Sequence, residues 1–164
     1  MCMKNYLTID IGRNWLRYAL ISEEIDVYKT GKEELNSFTS REDLFTTIKK
    51  ITDSFSSRTD SLAITMPGII DTDSGMAYSA GIYRFIRNEP LAKEISEYTG
   101  MKTIILNDAK AAALAEVGYG SLKGVHTGVM VMLLGTGIGG AVIHDGKIFN
   151  GAHFGAGEFS YLTD

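Results

Sequence analysis

The sequence predicts an α/β fold: a mixed sheet built in the order β-β-β-α-β-α-β-α, followed by the opening strands of a second, similar lobe. Three observations predict it. Residues 6–35 hold three strand-like runs joined by short turns. From position 44 the apolar residues change to helical spacing, and helices and strands then alternate. After residue 120 the strand-like runs return.

Tyr6 to Ile11 is almost wholly apolar or β-favouring and stops at Gly12, as a buried central strand does. Trp15 to Ile21 follows after a tight connection, and Asp26 to Leu35 is a third, more polar strand, so the three form a meander. Leu44, Ile48, Ile51 and Phe55 recur on one helical face. Ser40 is placed to cap this helix, with Asp43 completing a capping-box-like pattern. Ser61 to Thr65 is a short strand closed by the Pro67-Gly68 turn, and Asp71 to Gly75 has the composition of a loop tip. A second helix is predicted from near Asn88, with Pro90 in its first turn, to Gly100. Met101 to Leu106 is a strand, and Ala109 to Val117 an alanine-rich helix ending at Gly118 and Gly120. Thr127 to Leu134, Ile138 to His144 and Lys147 to Phe149 then repeat the three-strand opening, a weak internal repeat. We therefore expect residues 1–120 to form one lobe and residues 121–164 the start of a second, cut short before its helices.

Composition narrows the class. The 164 residues suit one domain, or one domain and part of another. Hydrophobic residues at 45% and charged residues at 22% are ordinary for a globular chain with a real core. Net charge is -4 with no basic stripe, which argues against a nucleic-acid or anionic-membrane surface. The single cysteine, Cys2, rules out an intrachain disulfide and fits a reducing compartment. No apolar run resembles a signal peptide or reaches the ~18 residues of a membrane span, so a cytoplasmic protein is expected. His126, His144 and His153 lack metal-ligand spacing, so no zinc site is read here. Lys49, Lys50 and Arg58 read as a solvated helix side.

Four places carry chemistry. Leu134-Gly135-Thr136-Gly137-Ile138-Gly139-Gly140 joins two strands, and its glycines let backbone amides approach an anion closely. It reads as a phosphate cradle or as a ligand-free glycine hairpin. A Walker loop is excluded because no Gly-Lys-Ser/Thr follows, and a strand rather than a helix comes next, unlike a dinucleotide fingerprint. Asp10-Ile11-Gly12 closes the first strand, where Asp10 is a turn former or a partner for Mg²⁺ and its waters. The two glycine-bearing hairpins hold equivalent places in the two halves, as two loops facing each other over a nucleotide's phosphates would. Asp108 in Asn107-Asp108 stands where a strand meets a helix, as an N-cap does; a carboxylate held there also suits general-base assistance to phosphoryl transfer, typically worth ~10²–10⁴ in rate. Glu158 is an acid in a glycine-rich, mostly apolar stretch, either solvated or aimed at sugar hydroxyls.

Together these motifs resemble the ROK family of sugar kinases, within the actin/hexokinase-like (ribonuclease H-like) fold. The matching segments are Asp10 to Gly12, Met66 to Asp71, Asn107 to Glu116, Leu134 to Gly140, and Asn150 to Phe159. The resemblance implies that Asp108 is the catalytic base for a sugar 6-hydroxyl. It implies that Asn107 and Glu158 bind sugar hydroxyls and that Gly68 lines the sugar pocket. Asp10, Gly12 and the run Gly135, Thr136, Gly137 and Gly139 match the two phosphate loops that hold ATP with Mg²⁺. The family leads one to expect a hexose or hexoside substrate and often a homodimer, while the charge pattern leads one to expect no nucleic-acid or membrane partner.

Three departures stand out. The family's first loop continues Gly-Gly-Thr, but here it reads Gly12-Arg13-Asn14, and Arg13 either pairs with phosphate or obstructs it. The family's Gly-His after Glu-Ile/Phe is replaced by Ser160-Tyr161; tyrosine can bind a sugar hydroxyl but is a poor zinc ligand. With Ala80 to Phe85, Tyr161 resembles a zinc-free branch that includes β-glucoside kinases. The chain also stops before the family's adenine-binding segment, so these 164 residues alone are expected to be inactive. Two rivals remain: a regulator with a DNA-binding segment ahead of the body, for which Tyr6 leaves no room, and a sugar-binding member without kinase activity.

Overall fold

The computed structural model describes residues 4–35, 40–126, 128–134 and 138–162. They divide into two compact units, Met1–Leu106 and Asn107–Asp164.

The first unit is built on the expected meander. Strands β1 (Asn5–Ile11), β2 (Trp15–Ser22) and β3 (Val27–Glu34) pair antiparallel in sequence order. Helix α1 (Arg41–Asp53) leads to β4 (Ser61–Met66), which pairs parallel to β1 on its other side. With β7 (Lys102–Asn107) the sheet order is β3-β2-β1-β4-β7, so β1 is central. Leu7, Ile9 and Ile11 are buried and alternate with half-buried residues, so one face of β1 lies wholly in the core. Leu44, Ile48 and Ile51 of α1 belong to the same core, with Leu62, Ile64 and Met66 of β4. Phe55 lies two residues past the helix rather than within it, yet is buried beneath Tyr18, whose ring it meets edge-on. That ring crosses β3 at Gly31, where a β-carbon would come within 2.2 Å of it.

Ser40 caps α1 as expected. Its oxygen accepts from the Asp43 N–H, and its hydroxyl donates to the Asp43 carboxylate. Lys49 pairs with Asp53 and Lys50 with Glu33, on the solvated side.

One expectation is corrected, and the expected loop tip proves to be a hairpin turn. Helix α2 (Leu91–Thr99) begins three residues after Asn88, because Asn88 adopts a left-handed φ of 55° that no helix continues, and Pro90 takes the cap position. Gly100 ends it in the left-handed conformation. The segment Asp71 to Gly75 is the turn of a small hairpin between β5 (Ile70–Asp71) and β6 (Met76–Ala77). Asp71 is buried there and accepts the N–H groups of Asp73 and Ser74.

The second unit opens with α3 (Asp108–Tyr119), which runs through Gly118 to a cap at Gly120. Strands β8 (Val129–Leu134), β9 (Ile138–His144) and β10 (Lys147–Phe149) form an antiparallel meander, and a 3-10 turn covers Phe159–Leu162. Ala113 of α3 is buried with Ala141 and Ile143 of β9, and Val117 and Ile148 pack against them. No described helix is long and apolar enough to cross a membrane.

Gly68 shows how tightly the Pro67-Gly68 turn is packed. Its φ is +118°, and a β-carbon there would come within 2.2 Å of the Ser79 carbonyl oxygen. Gly100 shares the left-handed conformation but has nothing within 4 Å. Gly68→Ala should therefore lower the unfolding free energy by at least about 2 kcal/mol, against about 1 kcal/mol for Gly100→Ala. Urea denaturation of the two variants measures the difference, and equal losses would show that the turn yields.

Candidate functional site

A set of paired polar groups lies at the start of α3. Asn107 ends β7 with an extended backbone and caps the helix, its Oδ1 accepting the Lys110 N–H at 3.0 Å. The cap is therefore Asn107, not Asp108 as the sequence suggests. Asp108 already has helical geometry, and its Oδ1 accepts the adjoining Ala109 N–H at 2.8 Å. Asn107 is 3% exposed, so its amide nitrogen also needs a partner, and it donates to Glu158 Oε1 at 3.1 Å. That bond draws the Gly-rich segment before the 3-10 turn onto the helix start.

Lys110 was not assigned a role from sequence. It is 1% exposed, and its ammonium donates to Asn150 Oδ1 at 3.0 Å and to the Phe154 carbonyl at 2.8 Å. The one signal was a lysine within an alanine run, three residues after the cap.

Charge in this cluster is tuned by burial. Burial pushes the Glu158 carboxyl above its ordinary value; Lys110 draws it down, and Asp108 pushes it up. Burial lowers the Lys110 ammonium, and Glu158 opposes that shift. Each charge of the pair thus favours the other.

The first unit carries the other candidates. Asp10, near the end of β1, accepts the Thr65 hydroxyl at 2.9 Å, and Arg17 on β2 approaches it at 3.5 Å. With both side chains substantially exposed, the Asp10–Arg17 pair adds little stability. Gly12 is tied at both backbone groups: its N–H donates to the Trp15 carbonyl at 3.0 Å, and its carbonyl accepts the Tyr83 hydroxyl. A β-carbon on Gly12 would come 3.2 Å from the Trp15 oxygen. Burial, and secondarily Asp10, raise the Tyr83 phenol to about 12. Arg13 is exposed and pairs with no described residue. The loop therefore offers an anion the guanidinium groups of Arg13 and Arg17 rather than the Gly12 amide, and the half-exposed Asp10 carboxylate suits a cation. These residues fit a metal-bound polyphosphate.

Of the second loop, Gly139 lies in β9 opposite Leu133, while Gly135, Thr136 and Gly137 lie outside the described residues. Tyr161 falls in the 3-10 turn, and its side chain is likewise outside the description. Among the described residues no three His, Cys, Asp or Glu side chains are grouped to hold a metal.

Comparison with known proteins follows the same lines. Residues 6–162 match the ROK family. The chain is 28% identical over 165 residues to the glucokinase of Halalkalibacterium halodurans, covering 96% of this chain and 49% of that protein. It is 38% identical over 106 residues to the β-glucoside kinase of Klebsiella pneumoniae, covering 64% of this chain and 35% of that protein. A ROK family glucokinase from Streptomyces griseus, solved in complex with glucose and AMPPNP, matches with a TM-score of 0.81 at 27% identity, covering 94% of this chain and 49% of that one. The fold is the actin-like α/β fold of these structures. The chain spans about half the length of the glucokinases it matches.

Tyr83 gives a test of the first loop. Its pKa is raised in the folded state, so its contribution to stability is full below 10.0 and is lost as pH rises through about 12. Tyr83→Phe should lack that part of the alkaline loss and should cost about 1 kcal/mol at neutral pH through the bond to Gly12. Urea denaturation across pH, with tyrosinate absorbance, reads both. An unchanged alkaline limb would contradict the assignment.

Proposed function

The chain belongs to the ROK family, and we propose that the protein it forms part of transfers the γ-phosphoryl group of ATP to a hydroxyl of a hexose or hexoside. The observation that carries this reading is the Asn107–Glu158 hydrogen bond, which joins two hydroxyl-binding side chains one residue from the Asp108 carboxylate. Asp108 takes the proton of the attacking hydroxyl. Asn107 and Glu158 hold neighbouring hydroxyls, with Gly68 and Tyr161 contributing to the sugar subsite. ATP, when bound, supplies the phosphoryl group, with Mg²⁺ neutralising its charge. Asp10, Arg13 and the Gly135 to Gly139 loop are the groups that would hold it, with Gly12 serving only to turn the first loop.

Half-exposed Asp108 suits a base that must meet substrate, whereas buried Asn107 suits a group that must stay in place. Positioning and electrostatics carry most of phosphoryl transfer, and a base adds the rest. The relatives named glucokinase and β-glucoside kinase support a sugar as acceptor. A second reading, a sugar binder without kinase activity, is favoured by the Gly12 amide being turned into its own loop.

Two measurements on the complete protein decide between them. Asp108→Asn should lower kcat by ~10²–10⁴ while the sugar KM moves little. Phosphorylation left intact by that change would remove Asp108 as the base. Because Gly12 has no amide to offer, Arg13→Gly should weaken AMPPNP binding about tenfold by calorimetry, the usual scale for one lost charge-assisted contact. Tighter binding would mean that Arg13 obstructs the site, and unchanged binding that it does not touch the nucleotide.

A further inference from the structure

We infer that Lys110 is a positioning residue for the sugar site: its buried ammonium ties the segment 150–158 to the first turn of α3 and thereby holds Glu158 against Asn107. The inference rests on the reading of Asn107, Asp108 and Glu158 as the sugar-binding and catalytic groups.

Lys110 sits between Ala109 and Ala113 on the buried face of α3, where packing alone calls for a small apolar side chain. An ammonium in that place costs energy unless its donors are met. Here two of its three donors are met by one irregular segment, at the Asn150 side chain and the Phe154 carbonyl. Phe154 has a φ of 59°, a left-handed conformation unfavourable for an aromatic residue, and its carbonyl is the one that Lys110 takes. The segment closes on itself through the Ala156 N–H to the Asn150 carbonyl. It lies close against β9 at Gly157, where a β-carbon would come within 2.6 Å of the Gly140 oxygen. The first turn of α3 thus grips the segment at residues 150, 154 and 158, two of the three through Lys110. Without Lys110 only the Asn107–Glu158 bond remains of those three.

The lysine also acts on charge. Among the described residues the charged groups acting on Glu158 are Lys110, which favours its ionised form, and Asp108, which opposes it; both belong to α3. An ionised Glu158 accepts from Asn107 and from sugar hydroxyls, whereas a protonated one must turn a donor toward one of them. Loss of the lysine charge removes the charged group that opposes burial and Asp108, so the acid limb of sugar use should move to higher pH.

The test compares Lys110→Met, which keeps length without charge, with Lys110→Gln, which restores a polar tip only. In the complete protein, Lys110→Met should raise the sugar KM by about tenfold or more and leave the ATP KM within about twofold. Lys110→Gln should recover part of the sugar KM. In both, the acid limb of kcat/KM for the sugar should shift upward. An unshifted limb together with an unchanged sugar KM would overturn the inference, because a lysine that serves folding alone lowers the melting temperature and moves neither. Should Lys110→Met fail to fold, Asn150→Ala, at a half-buried site, reads the same tie: a raised sugar KM is expected, and an unchanged one overturns it. Glu158→Gln separates the two levels. If it leaves sugar binding intact, the sugar-site reading itself is wrong. If it abolishes binding while the Lys110 variants behave as wild type, the inference alone fails.

Discussion

A buried primary amide has to be satisfied at both ends, and Asn107 meets that demand in a way that organises the second unit. Its oxygen closes the first turn of α3, and its nitrogen reaches the carboxylate of a residue 51 positions later in the chain. Leaving either end unpaired at 3% exposure would cost roughly 1–3 kcal/mol. The helix start, the Gly-rich segment and the Asp108 carboxylate are therefore not independent features. Each is placed by the same side chain or lies next to it in the chain.

The apolar packing makes this constraint usable. α3 carries Ala109 and Ala113 on its buried side, and Ala113 packs against Ala141 and Ile143 of β9. Small side chains bring the helix close to the sheet, and the closeness leaves Lys110 with no route to water. Its charge must then be answered locally, which the irregular segment does with a side chain and a carbonyl. The opposing pKa shifts of Lys110 and Glu158 follow from the same burial: each group is pushed toward its neutral form, and each holds the other charged. In the first unit the equivalent constraint is smaller. Gly12 is fixed by bonds to Trp15 and Tyr83, so its own amide faces into the loop and Arg13 stands exposed beside it.

Much of this was legible in the sequence, for reasons that differ by element. β1 was readable from its run of apolar and β-favouring residues, and α1 from the period of 3.6 that burial imposes on Leu44, Ile48 and Ile51. The motif Asn107-Asp108 was readable as a strand-to-helix junction, but not which residue caps it: both types cap well, and only the extended backbone at Asn107 decides. Asn88 misled because a helix-favouring stretch follows it, while its own left-handed φ depends on the neighbouring turn. Lys110 was missed because lysine in a helix is ordinarily solvated, and its burial is set by tertiary packing that no local pattern reports. Glycine at position 12 was readable as the end of the first strand. It did not reveal the close approach that Trp15 of the same chain makes there.

The most direct measurement of the account separates the two ends of Asn107. Serine caps helices about as well as asparagine but is too short to reach Glu158. Calorimetric titration of the complete Asn107→Ser protein with glucose, an N-acetylhexosamine and a β-glucoside should show at least about tenfold weaker binding of whichever sugar the wild type takes. Its melting temperature should fall only modestly. Sugar binding at wild-type strength would contradict the claim that the Asn107–Glu158 bond builds the sugar site.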